Sequence, residues 1–137
     1  MSIPLQIARM REHYPDLSRV SWELGQIRWE GPLQPVDAAH TYRIRISYRL
    51  RLRPRVHVLE PSLRSNETGG PIPHRFRDDS LCLYYPKYRE WHPEMAVADT
   101  TVPWTALWLY HYEVWHATGE WLGGGIDHHR GRKRATK

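Results

Sequence analysis

Pro71-Ile72-Pro73-His74-Arg75-Phe76-Arg77-Asp78-Asp79-Ser80-Leu81-Cys82-Leu83, continued by Tyr84-Tyr85-Pro86-Lys87-Tyr88-Arg89-Glu90-Trp91-His92-Pro93, is the stretch that orders the rest of this chain. It holds the only cysteine, Cys82. Pro73-His74 precedes that cysteine by one loop, and Trp91-His92-Pro93 follows it by another. The stretch itself reads as irregular. Strand-like alternation lies before it and a helical pattern after it.

Immediately upstream, Ser65-Asn66-Glu67-Thr68-Gly69-Gly70 reads as a flexible polar loop. Before that, Arg55 to Glu60 reads as a short strand with Val56 and Val58 on one face, bounded by Pro54 and Pro61. Thr41 to Arg53 is the clearest periodic run. Tyr42, Ile44, Ile46, Tyr48, Leu50 and Leu52 alternate with Arg43, Arg45, Ser47, Arg49, Arg51 and Arg53, so one face is buried and one wet. Val20 to Glu30 is strand-like, with a slip at Gly25-Gln26 that marks either a bulge or a turn between two short strands. Gly31-Pro32 breaks that pattern. Ile3 to Tyr14 reads as a first helix, capped by Ser2, with Pro4 in its first turn and Leu5, Ile7, Ala8 and Met10 as an imperfect apolar stripe. Pro15-Asp16 stops it.

Downstream, Asp99, Thr100 or Thr101 is the expected cap of a helix over Val102 to Thr118, with Pro103 in its first turn and Gly119 as its stop. Trp104, Leu107, Trp108, His111, Tyr112 and Trp115 recur at spacings of three and four, as a core-facing stripe does. Helix, three or four antiparallel strands, an irregular segment and a long helix predict an α+β sandwich. Residues 1–125 are expected to form one domain, and 126–137 a basic flexible tail.

The totals bound the function. The chain has 137 residues, 40% hydrophobic and 26% charged, the balance of a globular domain with a modest core. A single cysteine allows no internal disulfide, and no apolar run reaches membrane-spanning length, so a cytoplasmic protein without a membrane partner is expected. No Gly-rich phosphate loop of the Walker or Rossmann type is present, which argues against nucleotide activation by this chain. The formal charge of +5 comes partly from Arg130 to Lys137. That run reads as a solvated tail, or as a patch for nucleic acid through counterion release; nucleic acid is the less favoured partner. The arginine row from Arg43 to Arg53 is either wet sheet surface or a docking face for an acidic partner or nucleic acid. Zinc would need three or four convergent ligands, and neither His111 with His116 nor Asp127-His128-His129 supplies them, so no metal or cofactor is expected. A lone cysteine between two leucines reads, on composition alone, as a small buried core residue.

The ordered pieces of the central stretch resemble the active-site segment of ubiquitin-conjugating enzymes. In that family a His-Pro-Asn triplet leads through a loop to a thioester-forming cysteine, and Trp-x-Pro follows before a long helix. Here His74 lies eight positions before Cys82, at the family's Asn position; Pro73 matches the middle Pro, and Ile72 replaces the His. Trp91 lies nine positions after Cys82, one more than is common. Leu81 and Leu83 match the family's apolar flanks, and Trp29-Glu30-Gly31-Pro32 with Pro35 resembles its Gly-Pro turn. With Ser80-Leu81-Cys82-Leu83, Glu90-Trp91-His92-Pro93 and the Trp-rich helix ending Thr118-Gly119-Glu120-Trp121, the chain is similar to the stand-alone conjugating-like proteins of type II short CBASS, an antiphage signalling system. The resemblance covers a minimal core from Ile3 to Leu122, without the further C-terminal helices of the usual members.

The resemblance implies a cysteine transferase. Cys82 would take the C-terminus of a cGAS/DncV-like nucleotidyltransferase as a thioester and yield it to a lysine amine. His74 would serve the oxyanion or move a proton, and Asp78 and Asp79 would orient the lysine. His92 is an alternative proton carrier, and Tyr84, Tyr85 and Tyr88 would wall the site from water. A separate activating enzyme is neither required nor excluded by these residues. Two other classes stay open: a non-catalytic scaffold of the same fold, and a basic nucleic-acid-binding domain.

Overall fold

The computed structural model describes residues 1–35, 38, 40–83 and 91–122. Tyr84, Tyr85, Tyr88, Glu90 and the basic tail therefore lie outside the described residues. Helix α1 (Ile3–His13) is followed by strands β1 (Ser18–Glu23), β2 (Gln26–Leu33), β3 (Tyr42–Arg49) and β4 (Arg55–Glu60), then by helix α2 (Val97–Thr118). The strands form one antiparallel sheet in chain order, an α+β meander as expected.

Alternation decides which sheet face is covered. Tyr42, Ile44, Ile46 and Tyr48 of β3 and Ile27 and Trp29 of β2 are buried, while Arg43 and Arg49 are exposed. β3 is shorter than the alternation predicts. It stops at Arg49, and Leu50 and Leu52 sit exposed in the turn to β4 rather than on the inner face. The slip at Gly25 is a turn: Leu24 and Gly25 both take positive φ and join β1 to β2, with Glu23 opposite Gln26. A separate bulge lies between Arg19 and Ser21. Gly31-Pro32 does not break β2, which pairs with β3 as far as Leu33. β1 reaches only to Ser18 opposite Glu30, so Pro32 has no ladder partner to lose on that side. Gly31 is needed for a different reason: a Cβ there would lie 2.2 Å from the carbonyl oxygen of Asp16.

In α1, Ser2 accepts the Leu5 N–H at 3.3 Å, as its sequence predicts. Tyr14 forms the C-cap, and Ile3, Gln6, Ile7 and Met10 face inward; Leu5 is exposed. The inward position of Gln6 explains where α2 begins. That helix starts at Val97, five residues before the sequence expectation, with Ala96 as N-cap and no side-chain cap of its own. Gln6, 0% exposed, supplies the cap from α1. Its Oε1 accepts the Val97 N–H at 2.9 Å, and its Nε2 donates to the Met95 carbonyl at 3.0 Å. Asp99 is therefore not a cap; it pairs with Arg9 of α1 at 2.6 Å. Pro103 falls inside the helix rather than in its first turn. The inward face of α2 runs through Ala98, Thr101, Thr105, Trp108, Tyr112 and Trp115, whereas Leu107 is exposed. Gly119 ends the helix in the left-handed region, its N–H on the Trp115 carbonyl.

Candidate functional site

The eight-residue spacing from His74 to Cys82 is the register of a small hairpin. The Cys82 N–H donates to the His74 carbonyl at 2.9 Å, Arg75 bridges Leu81, and the Phe76 N–H donates to the Ser80 carbonyl at 2.8 Å. The tip closes with Asp79 N–H on the Phe76 carbonyl at 3.0 Å. The Leu81 N–H then donates to the Val56 carbonyl at 2.9 Å, which docks the hairpin on β4. Residues opposed in an antiparallel ladder lie about 5 Å apart at Cα. His74 and Cys82 are thus brought together by backbone pairing, and both are buried, at 7% and 5% exposure.

His74 is held from two sides. Its carbonyl also accepts the Trp108 indole N–H from α2 at 3.0 Å. Its ring packs against Trp121 at 4.8 Å between centroids, and Trp121 in turn meets Trp108 edge-on at 5.1 Å. His74 takes φ 59, in the left-handed region. Among residues with a Cβ, Asn, Asp and His are the ones enriched there.

Asp78 and Asp79 part company. Asp78 braces the loop: its Oδ1 accepts the Ser80 N–H at 2.9 Å and the Ser80 hydroxyl at 2.6 Å. Its Oδ2 pairs with Arg55 at 3.4 Å, and its backbone carbonyl lies 3.0 Å from His57 Nε2. Burial alone raises the Asp78 carboxyl, but the Ser80 hydrogen bonds, with His57 and Arg55 nearby, outweigh it and hold the group below the usual carboxylate range. Asp79 is at the exposed tip, φ 69, pairing loosely with Arg75 at 3.5 Å.

The remaining expectations sort by burial. Trp91 is core, edge-on to Tyr48 at 5.4 Å. His92 is exposed and accepts the Glu94 N–H on Nδ1 at 3.3 Å. The loop from Ser65 is pinned rather than free: Asn66 is buried, its Oδ1 accepts the Thr68 N–H, and its Nδ2 reaches the Trp115 carbonyl at 3.4 Å. His111 lies 6.1 Å from the Trp121 ring, and burial pulls its imidazole below its ordinary pKa. Among the described residues no group of three His, Cys, Asp or Glu is placed to hold a metal ion. No helix among them is long and apolar enough to cross a membrane.

Sequence reasoning missed Trp121 and Trp108 as neighbours of His74. The signal available was Gly119, whose left-handed turn ends α2 just before Trp121.

Compared with known families, residues 6–129 match the family model described as type II CBASS E2 protein. No curated protein matches the chain.

Proposed function

The chain belongs to the type II CBASS E2 proteins, and from that premise we propose that it is a ubiquitin-conjugating-like cysteine transferase with Cys82 as its nucleophile. Cys82 Sγ, as thiolate, attacks the carbonyl carbon of an incoming thioester whose acyl part is the C-terminus of a cGAS/DncV-like nucleotidyltransferase. The new S–C bond forms, the bond to the departing sulfur breaks, and that sulfur leaves as a thiolate. A deprotonated lysine amine then attacks the same carbon. The N–C bond forms, the Cys82 S–C bond breaks, and the amine's remaining excess proton passes to base or water.

Each attack passes through a tetrahedral oxyanion, which a fixed N–H donor stabilises. We assign that donor to the His74 imidazole, which can also carry a proton. Asp78 shapes the hairpin, since Ser80 occupies its Oδ1. Asp79, exposed at the tip and paired only loosely with Arg75, is the carboxylate assigned to meet a lysine. The observation that carries this reading is the hairpin register: the Cys82 N–H and the Trp108 indole both fix the His74 carbonyl, so the backbones of Cys82 and His74 belong to one braced unit.

The test is a non-reducing gel of the protein co-expressed with a nucleotidyltransferase of its own system. A slower band that disappears with hydroxylamine is expected, and Cys82→Ala removes it. The same band surviving in Cys82→Ala would refute the assignment. A non-catalytic scaffold is the second reading, favoured by the 5% exposure of Cys82. It predicts partner binding that Cys82→Ala leaves unchanged, with no covalent band in either protein.

A further inference from the structure

The turn from β3 to β4 and the adjoining outer face of the sheet form a groove of about 590 Å³. Arg49, Arg51, Arg53 and Arg55 line it, with Gln26 and Ser47 beside them. Among the described residues that line it there is no carboxylate. Asp78 pairs with Arg55 at one end at 3.4 Å, and Glu30 holds Arg45 at 2.8 Å and Arg43 at 3.5 Å. Like charges gathered in one groove repel one another, and an anion laid among them relieves that repulsion.

Arg51 adds an independent observation. Its φ is 72, in the left-handed region that glycine fits without strain. A long cationic side chain at a strained, exposed turn points to a use for its charge. The groove also runs on toward the hairpin: the Arg53 guanidinium lies 4.2 Å from the centre of the Phe76 ring.

We propose that this groove docks an acidic peptide segment of a protein partner, with carboxylates set against Arg49, Arg51 and Arg53. A guanidinium presents paired N–H donors that match a carboxylate. Single-stranded nucleic acid fits less well, because it uses open ring faces for base stacking, and Arg53 lies over that of Phe76. The docking needs no covalent step, so it stands or falls separately from the role given to Cys82.

The test is fluorescence anisotropy with the full chain and a fluorescein-labelled octaglutamate peptide, set beside a labelled twelve-nucleotide single-stranded DNA. The peptide binds the native chain, binding weakens with salt, and a triple variant Arg49→Gln, Arg51→Gly, Arg53→Gln binds about tenfold more weakly. Arg51→Gly alone also weakens binding while raising the unfolding midpoint, so the loss does not come from a damaged fold. No peptide binding by the native chain, or equal binding by the triple variant, overturns the proposal. So does DNA that binds more tightly than the peptide and loses affinity with the same substitutions.

Discussion

The hairpin from His74 to Cys82 and the turn from β3 to β4 both keep non-glycine residues at positive φ, and their surroundings are opposite. His74, at φ 59, is buried; its carbonyl takes two hydrogen bonds and its ring packs against a tryptophan. Arg51, at φ 72, lines an open, cationic groove. Backbone strain of this kind costs about 1–2 kcal/mol per residue. In the hairpin, packing against α2 holds the strained residue in place. In the turn, no comparable packing surrounds Arg51 among the described residues, and the charge itself is the feature left to explain. The same backbone irregularity thus marks a braced interior in one place and a presented surface in the other.

The largest effect is expected from removing the brace. Trp108→Ala deletes a buried ring, the indole donor to His74 and the edge contact with Trp121. The expected cost is about 3–5 kcal/mol in denaturant unfolding, whereas Arg51→Gly shifts the midpoint the other way. A Trp108→Ala protein as stable as the native one would mean that the hairpin is not held from α2.

A smaller effect is expected from pH. The Asp78 carboxyl is held below its ordinary range by Ser80, His57 and Arg55 against the effect of burial. A carboxyl depressed in the folded state stabilises the fold above its unfolded pKa, and that contribution is lost as pH falls through the folded value. Unfolding midpoints measured from about pH 6 down to about pH 2 should therefore fall less steeply for Asp78→Asn than for the native chain. Because Asp78 is partly exposed, the difference is that of a screened pair, ~0.5 kcal/mol. Parallel curves would remove Asp78 as a brace of the hairpin.

Much of the fold was legible because the deciding signals are local. Alternation marked β3, Ser2 marked the start of α1, and Gly119 marked the end of α2. What was not legible depends on partners distant in sequence. The start of α2 is set by Gln6, ninety-one positions before the Val97 N–H it caps. A glutamine on the stripe of Ile3, Ile7 and Met10 was the available sign, since a polar residue on an inward face needs a partner. Leu50 and Leu52 extended the alternation of β3 although the backbone had already turned. At the candidate site, spacing pointed to His74 and Cys82 together. It did not show that the spacing is a hairpin register, because cross-strand pairing depends on where the turn falls. Nor did it show that Trp121 returns to cover His74, since only the path after Gly119 decides that.

Cys82 Sγ is the atom proposed to carry the acyl group. The most direct measurement is the intact mass of a Cys82→Ser protein co-expressed with a nucleotidyltransferase of its own system. An oxyester on the introduced hydroxyl transfers more slowly than a thioester, so a species with the mass of both chains less one water is predicted, lost on treatment with hydroxylamine. Only the two separate masses, in a sample where the native chain also forms no adduct, would contradict the account.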